Sequence, residues 1–102
     1  MDDKVYIIAY LNVSSLRGSI EKILYSEDAA RRGYDKLYKV LTTIGCGIYD
    51  RLYLFETTLE FIDEYELDRQ VNKPTSNDIG AFINRGNKLG DLKILEDNCL
   101  QV

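Results

Sequence analysis

Apolar and polar positions alternate from residue 4 to residue 13. Val5, Ile7, Ala9, Leu11 and Val13 fall on one side of an extended chain, and Tyr6, Ile8, Tyr10 and Asn12 on the other. A period of two in β-branched and aromatic residues predicts a strand. Both sides are largely apolar, which implies a strand covered twice or one side kept for a partner. Ser14-Ser15-Leu16-Arg17-Gly18 reads as a turn, and Ser19 to Tyr25 as a second strand, antiparallel because the connection is short. The period then changes. In YSEDAARRGYDKLYKVLTTI, residues 25–44, Ala30, Tyr34, Leu37, Leu41 and Ile44 recur every three or four positions and form one stripe along an α-helix. Ser26 stands where an N-cap belongs, Glu27 and Asp28 suit the positive end of the helix dipole, and Gly45 and Gly47 supply the stop.

Residues 48–68, IYDRLYLFETTLEFIDEYELD, carry both periods at once. Leu52, Phe55, Leu59 and Ile62 fit a helix, whereas Tyr49, Tyr53, Phe55, Thr57, Leu59 and Phe61 alternate as a strand does. The richness in Tyr, Phe, Leu and Thr favours strands at 50–58 and 61–68. Val71-Asn72-Lys73-Pro74 marks a connection. Ser76 is the next N-cap, and Ile79, Phe82 and Ile83 form a stripe on a helix that Gly86 and Gly90 limit to 77–88. The tail from Leu92 either adds an edge strand or frays. The expected fold is α+β, one domain over residues 1–102. An antiparallel sheet of about four strands runs in the order β-β-α-β-β, with the long helix on one face and a short C-terminal helix. In this reading 1–70 hold the sheet and long helix, and 71–102 the C-terminal helix and tail.

The opening KVYII strand, the helix introduced by Ser26-Glu27-Asp28-Ala29 and the closing FIDEYELD carry a resemblance. Together they are similar to a set of small uncharacterised bacterial and phage proteins that pair a β-hairpin with an S-x-x-A-opened helix and finish on an EYELD-type strand. The likeness covers roughly residues 4 to 68 and leaves the C-terminal third without a counterpart. It implies a β-β-α-β-β order, assigns no chemistry, and so carries over no catalytic residue.

Composition narrows the function. Thirteen basic and 17 acidic residues give a net charge of -4 and a pI near 4.8, which disfavours binding to phosphate backbones and suits a basic protein partner. Arg32, Lys36 and Lys39 on the long helix read as a solvated face compensated by acids four residues away, rather than as a phosphate stripe. The acidic lead of MDDKVYIIAYLNV does not fit a signal peptide, no run approaches a membrane span, and Cys46 and Cys99 make no disulfide framework; a cytoplasmic protein is expected. The chain has no histidine, which removes Ser-His and Cys-His nucleophile pairs and histidine-containing zinc sites. Gly86-Asn87-Lys88-Leu89-Gly90 lacks the spacing and the hydroxyl of a phosphate loop and reads as a helix-ending turn. Cys46 follows a helix C-terminus, whose partial negative charge opposes a thiolate.

Two groups of residues stand out. Glu60, Asp63, Glu64, Glu66 and Asp68 place five carboxylates within nine residues. They read as a charged strand edge that keeps sheets apart, as a strip that meets a basic partner, or, least favoured, as ligands of a divalent metal. As a strand, the segment would set Glu64, Glu66 and Asp68 in one like-charged row. The second group is aromatic: Tyr6 and Tyr10, joined by Tyr53 and Phe55, would crowd one sheet face. Such a face can be core, can hold a second subunit, or can stack unpaired bases. We therefore expect a small non-catalytic protein-binding module without a cofactor. It would be an accessory protein of a phage or mobile element that binds a basic host or cognate protein, such as a nuclease or a defence complex. Contact would fall on Glu60, Asp63, Glu64, Glu66, Asp68, Tyr6, Tyr10 and Tyr53, with a homodimer as a further use of the aromatic face. A sheet that binds single-stranded nucleic acid is the alternative, and a metal-dependent enzyme using Asp63 or Glu66 comes last.

Overall fold

The alternating N-terminal segment becomes β1 (Lys4–Asn12), one of two central strands in a four-stranded sheet; the computed structural model describes residues 3–101. It turns back into β2 (Arg17–Leu24), and α1 (Glu27–Ile44) crosses the sheet. The chain continues as β3 (Asp50–Thr58), α2 (Leu59–Glu64), a 3-10 turn (Leu67–Gln70), α3 (Asn77–Leu89) and β4 (Lys93–Cys99). The strand order is β2-β1-β3-β4, every neighbouring pair antiparallel.

Register divides the two cores. Ile8 lies opposite Leu54 and Tyr10 opposite Leu52, so these residues share a face with Tyr6. That face packs against Ala30 and Tyr34 of α1, with Leu37 and Leu41 beside them. Ile7 pairs with Phe55 and Ala9 with Tyr53, so Tyr53 and Phe55 lie on the other face, with Val5 and Leu11. The expectation that Tyr6, Tyr10, Tyr53 and Phe55 crowd a single face is therefore corrected: β1 and β3 pair so that their tyrosines alternate out of phase. The second face is covered by Phe61 and Ile62 of α2, Leu67, and Ile83 of α3. A central strand apolar on both sides is thus covered on both sides.

The strand expected at 61–68 is replaced by α2 and the 3-10 turn. Thr58 ends β3 and caps α2, its hydroxyl accepting from the Phe61 N–H at 3.2 Å. Consecutive residues of a strand point to opposite faces, whereas a helical turn lets Phe61 and Ile62 both enter the same core. The fourth strand comes from the tail instead, as β4. The order is therefore β-β-α-β-α-α-β, with three helices, and not β-β-α-β-β. The stripe on α1 is also shorter than its sequence pattern: Ile44 at its C-terminal end is exposed.

Antiparallel connections sort the residues between two ends of the sheet. Lys4, Leu24, Glu27 and Thr58 begin or end their elements at one pole, and Asn12, Arg17, Ile44 and Asp50 at the other. The outer edge of β2 is bridged by the 71–76 connection through Gly18–Ser76 and Ile20–Val71, while β4 forms the opposite edge.

Candidate functional site: an acidic pole

At the first pole α2 buries Phe61 and Ile62 and turns Glu60, Asp63 and Glu64 outward. These three carboxylates, with Asp3 and Leu59, line a shallow hollow of about 650 Å³. A second hollow of about 480 Å³ shares Asp3 and Leu59 and continues past Lys4 and Tyr25 to Ser26 and Glu27. The sequence sets this geometry locally. Ser26 caps α1 by accepting from the Ala29 N–H at 3.1 Å, which fixes Glu27 and Asp28 in the first turn beside the capped start of α2. Among the described residues Lys4 is the one cation lining either hollow, and its ammonium lies 3.6 Å from Glu56. Among the described residues Glu60, Asp63 and Glu64 form no salt bridge, whereas Glu27 is bound by Arg31 at 2.9 Å. Unneutralised carboxylates on an acidic chain concentrate negative potential at this end.

The five-carboxylate strip does not stay together. Glu66 takes a left-handed backbone conformation (φ 49°) between α2 and the 3-10 turn and lies 3.7 Å from Arg69, and Asp68 sits in the 3-10 turn. With no strand here, Glu64, Glu66 and Asp68 form no like-charged row. Nor does the strip guard a sheet edge, because the edges are β2 and β4. On β4 the charges Glu96 and Asp97 are held by Arg31 at 3.3 Å and Arg51 at 2.7 Å.

Tyr6 and Tyr53 are core residues, 5% and 9% exposed, and neither offers a free ring face. Tyr10 is half-buried, its hydroxyl donating to Asp50 Oδ1. The most exposed tyrosines are Tyr25, Tyr49 and Tyr65, and Tyr25, two thirds exposed, lies in the acidic hollow. Sequence reasoning missed Tyr25 and Asp3 as site residues. The available signal was position: Tyr25 directly precedes an N-cap at the point where the apolar period changes from two to between three and four.

The opposite pole is a hydrogen-bonded corner. Asp50 accepts from Tyr10, from Asn12 Nδ2 at 2.8 Å and from the Gly47 N–H at 2.7 Å. Burial pushes its carboxyl up, but these three bonds together outweigh burial and hold it below the ordinary value. The same partnership, after burial, pushes Tyr10 up to about 12. Burial also raises the Cys46 thiol, which donates to the Leu41 carbonyl, and Asp50 adds to the effect. A raised thiol is a poor nucleophile. Arg32, Lys36 and Lys39 are exposed on α1, and among the described residues the i,i+4 pairs expected between Asp28 and Arg32, Arg31 and Asp35, and Asp35 and Lys39 form no salt bridge. Gly90 caps α3 in a left-handed conformation, as a helix-ending turn requires.

Among the described residues, no three or more Asp, Glu or Cys side chains converge on a point that would hold a metal ion. No helix among the described residues is long and apolar enough to cross a membrane. Comparison with models of known protein families, with curated proteins and with solved structures finds no match to this chain.

Proposed function

We propose that this chain is a small protein-binding module whose acidic pole docks on a basic surface of a partner protein. The observation that carries the reading is the meeting of Glu60, Asp63, Glu64 and Asp3 around one hollow that continues, past exposed Tyr25, to Glu27. The charge-guard explanation for the α2 carboxylates fails once they lie off the sheet edges, which supports complementarity to a partner. A tyrosine in a charged rim supplies apolar area with few rotatable bonds to lose. A host nuclease or defence complex is a concrete class of target, because proteins that handle nucleic acid present basic surfaces. A phage or mobile-element origin accords with that role. Base stacking loses its platform in this reading, since Tyr6 and Tyr53 are packed into the two cores.

The test is affinity capture from the cell of origin with the wild-type chain and with a triple reversal, Glu60→Lys, Asp63→Lys and Glu64→Lys. All three side chains are exposed, so the fold should survive and thermal melts should nearly coincide. A partner held by the wild type and lost by the reversal is the expected result. Equal capture by both proteins would remove the acidic pole from the interface.

A further inference from the structure

Beside the acidic pole, where the 3-10 turn meets α3, lies a smaller hollow of about 290 Å³. Tyr65 and Phe82 line it, their rings in edge-to-face contact, 5.2 Å between centroids and inclined at 61°. Leu67 and Ile79 also line it, and Gln70 and Asp78 bring polar groups to it. The left-handed turn at Glu66 produces the arrangement, because it reverses the chain between Tyr65 and Leu67 so that both lie against one hollow. A non-glycine residue in that conformation is strained, and such strain persists only where the surroundings enforce it. Tyr65 is 44% exposed, and Asp78 forms no salt bridge among the described residues.

We infer that this hollow receives an arginine side chain of the basic partner. The inference deepens the proposed function and rests on it. An arginine is apolar along its stem and flat and cationic at its head. The stem matches half-buried Ile79, the guanidinium plane matches an aromatic wall, and its fork matches the Asp78 carboxylate. The chain already uses this chemistry nearby: the Arg85 guanidinium stands 6.0 Å from the centre of the Phe82 ring. An apolar side chain would strip water from Asp78 and Gln70 and return no hydrogen bond. A lysine lacks the plane that stacks and the fork that pairs. Asp78 in the lining, and exposed Glu64 next to Tyr65 in the chain, favour a cation over a neutral group of the same shape.

The measurement is a nuclear magnetic resonance titration of the full chain with acetyl-Gly-Arg-Gly-amide, run against the same peptide with lysine or with citrulline. Shift changes should centre on Tyr65, Phe82 and Ile79. The lysine peptide should respond about two- to fivefold more weakly and the citrulline peptide should be near silent. Asp78→Asn, and separately Tyr65→Leu, should each weaken the arginine response by about two- to fivefold. Equal responses to the three peptides, an arginine response centred on Glu60, Asp63 and Glu64, or no loss in either variant would overturn the inference. Failure of the wider reading looks different: the triple reversal would still capture the partner while the arginine titration stayed focused on Tyr65 and Phe82.

Discussion

At the scale of single residues, Asp50 and Tyr34 show how buried polar groups set the pH range over which the fold is stable. Asp50 has a folded pKa below its unfolded value near 3.8, so the stability it contributes is present above that value and is lost as pH falls through the folded one. Asp50→Asn should lower stability at neutral pH by about 1–3 kcal/mol and flatten the acid limb of the stability curve, as urea titrations across pH would show. Tyr10 and Tyr34, both pushed up to about 12 with burial the leading cause, act at the other extreme. In the unfolded chain they ionise first, near 10, so their contribution is complete below that pH and is lost as pH rises towards 12. Following tyrosinate absorbance alongside circular dichroism should show these two groups titrating only with unfolding. Tyr34 has a second role, donating to the Leu52 carbonyl at 2.8 Å and accepting from Asn98 at 3.0 Å, which ties α1 to β3 and β4. None of these partners is close in sequence, and hence none could be assigned from it.

Elements show the clearest contrast between two glycines that look alike in the sequence. Gly33 sits inside α1, and a Cβ there would meet Ile8 and Leu24 at ordinary contact distances of 3.5 and 3.6 Å. Gly33→Ala should stabilise the protein by up to about 1 kcal/mol, since helix propensity improves and nothing is displaced. Gly80 sits inside α3, where a Cβ would stand 1.6 Å from the Leu16 carbonyl oxygen of the β1–β2 turn. Gly80→Ala should cost at least about 2 kcal/mol, because backbone must move and cannot yield as a flexible side chain does. Chemical denaturation of the two variants, expected with opposite signs, checks both. The caps were legible, since Ser26 and Ser76 needed only local sequence and both accept from the N–H three residues on. The segment 59–68 was not legible, since its two competing periods are resolved by which core receives Phe61 and Ile62.

The whole molecule is polarised. Antiparallel connections gather Asp3, Glu27 and the α2 carboxylates at one pole, on a chain whose net charge is -4. Docking of such a pole should be steered over long range. The association rate with a basic partner should therefore fall as salt rises, with dissociation changing little, a separation that surface plasmon resonance across ionic strength resolves. A salt-independent association rate would mean that the acidic pole takes no part in the encounter. The sequence pointed to Glu60, Asp63 and Glu64 through their density, but it also joined to them Glu66 and Asp68, which the left-handed turn and the 3-10 turn direct elsewhere.

By itself the sequence determined β1, β2, α1 and α3, because each is written in a local period and closed by a local cap or turn, while β3, whose segment carries both periods, was favoured by its residue types alone. Local capping energies and backbone preferences act over a few residues, which is why such signals survive without tertiary context. Tertiary packing decided that Tyr6 and Tyr53 fall on opposite faces, that 59–64 winds into a helix, and that the tail completes the sheet. Those outcomes depend on pairing register and on which apolar surface is left to cover, and both are properties of residues far apart in the chain.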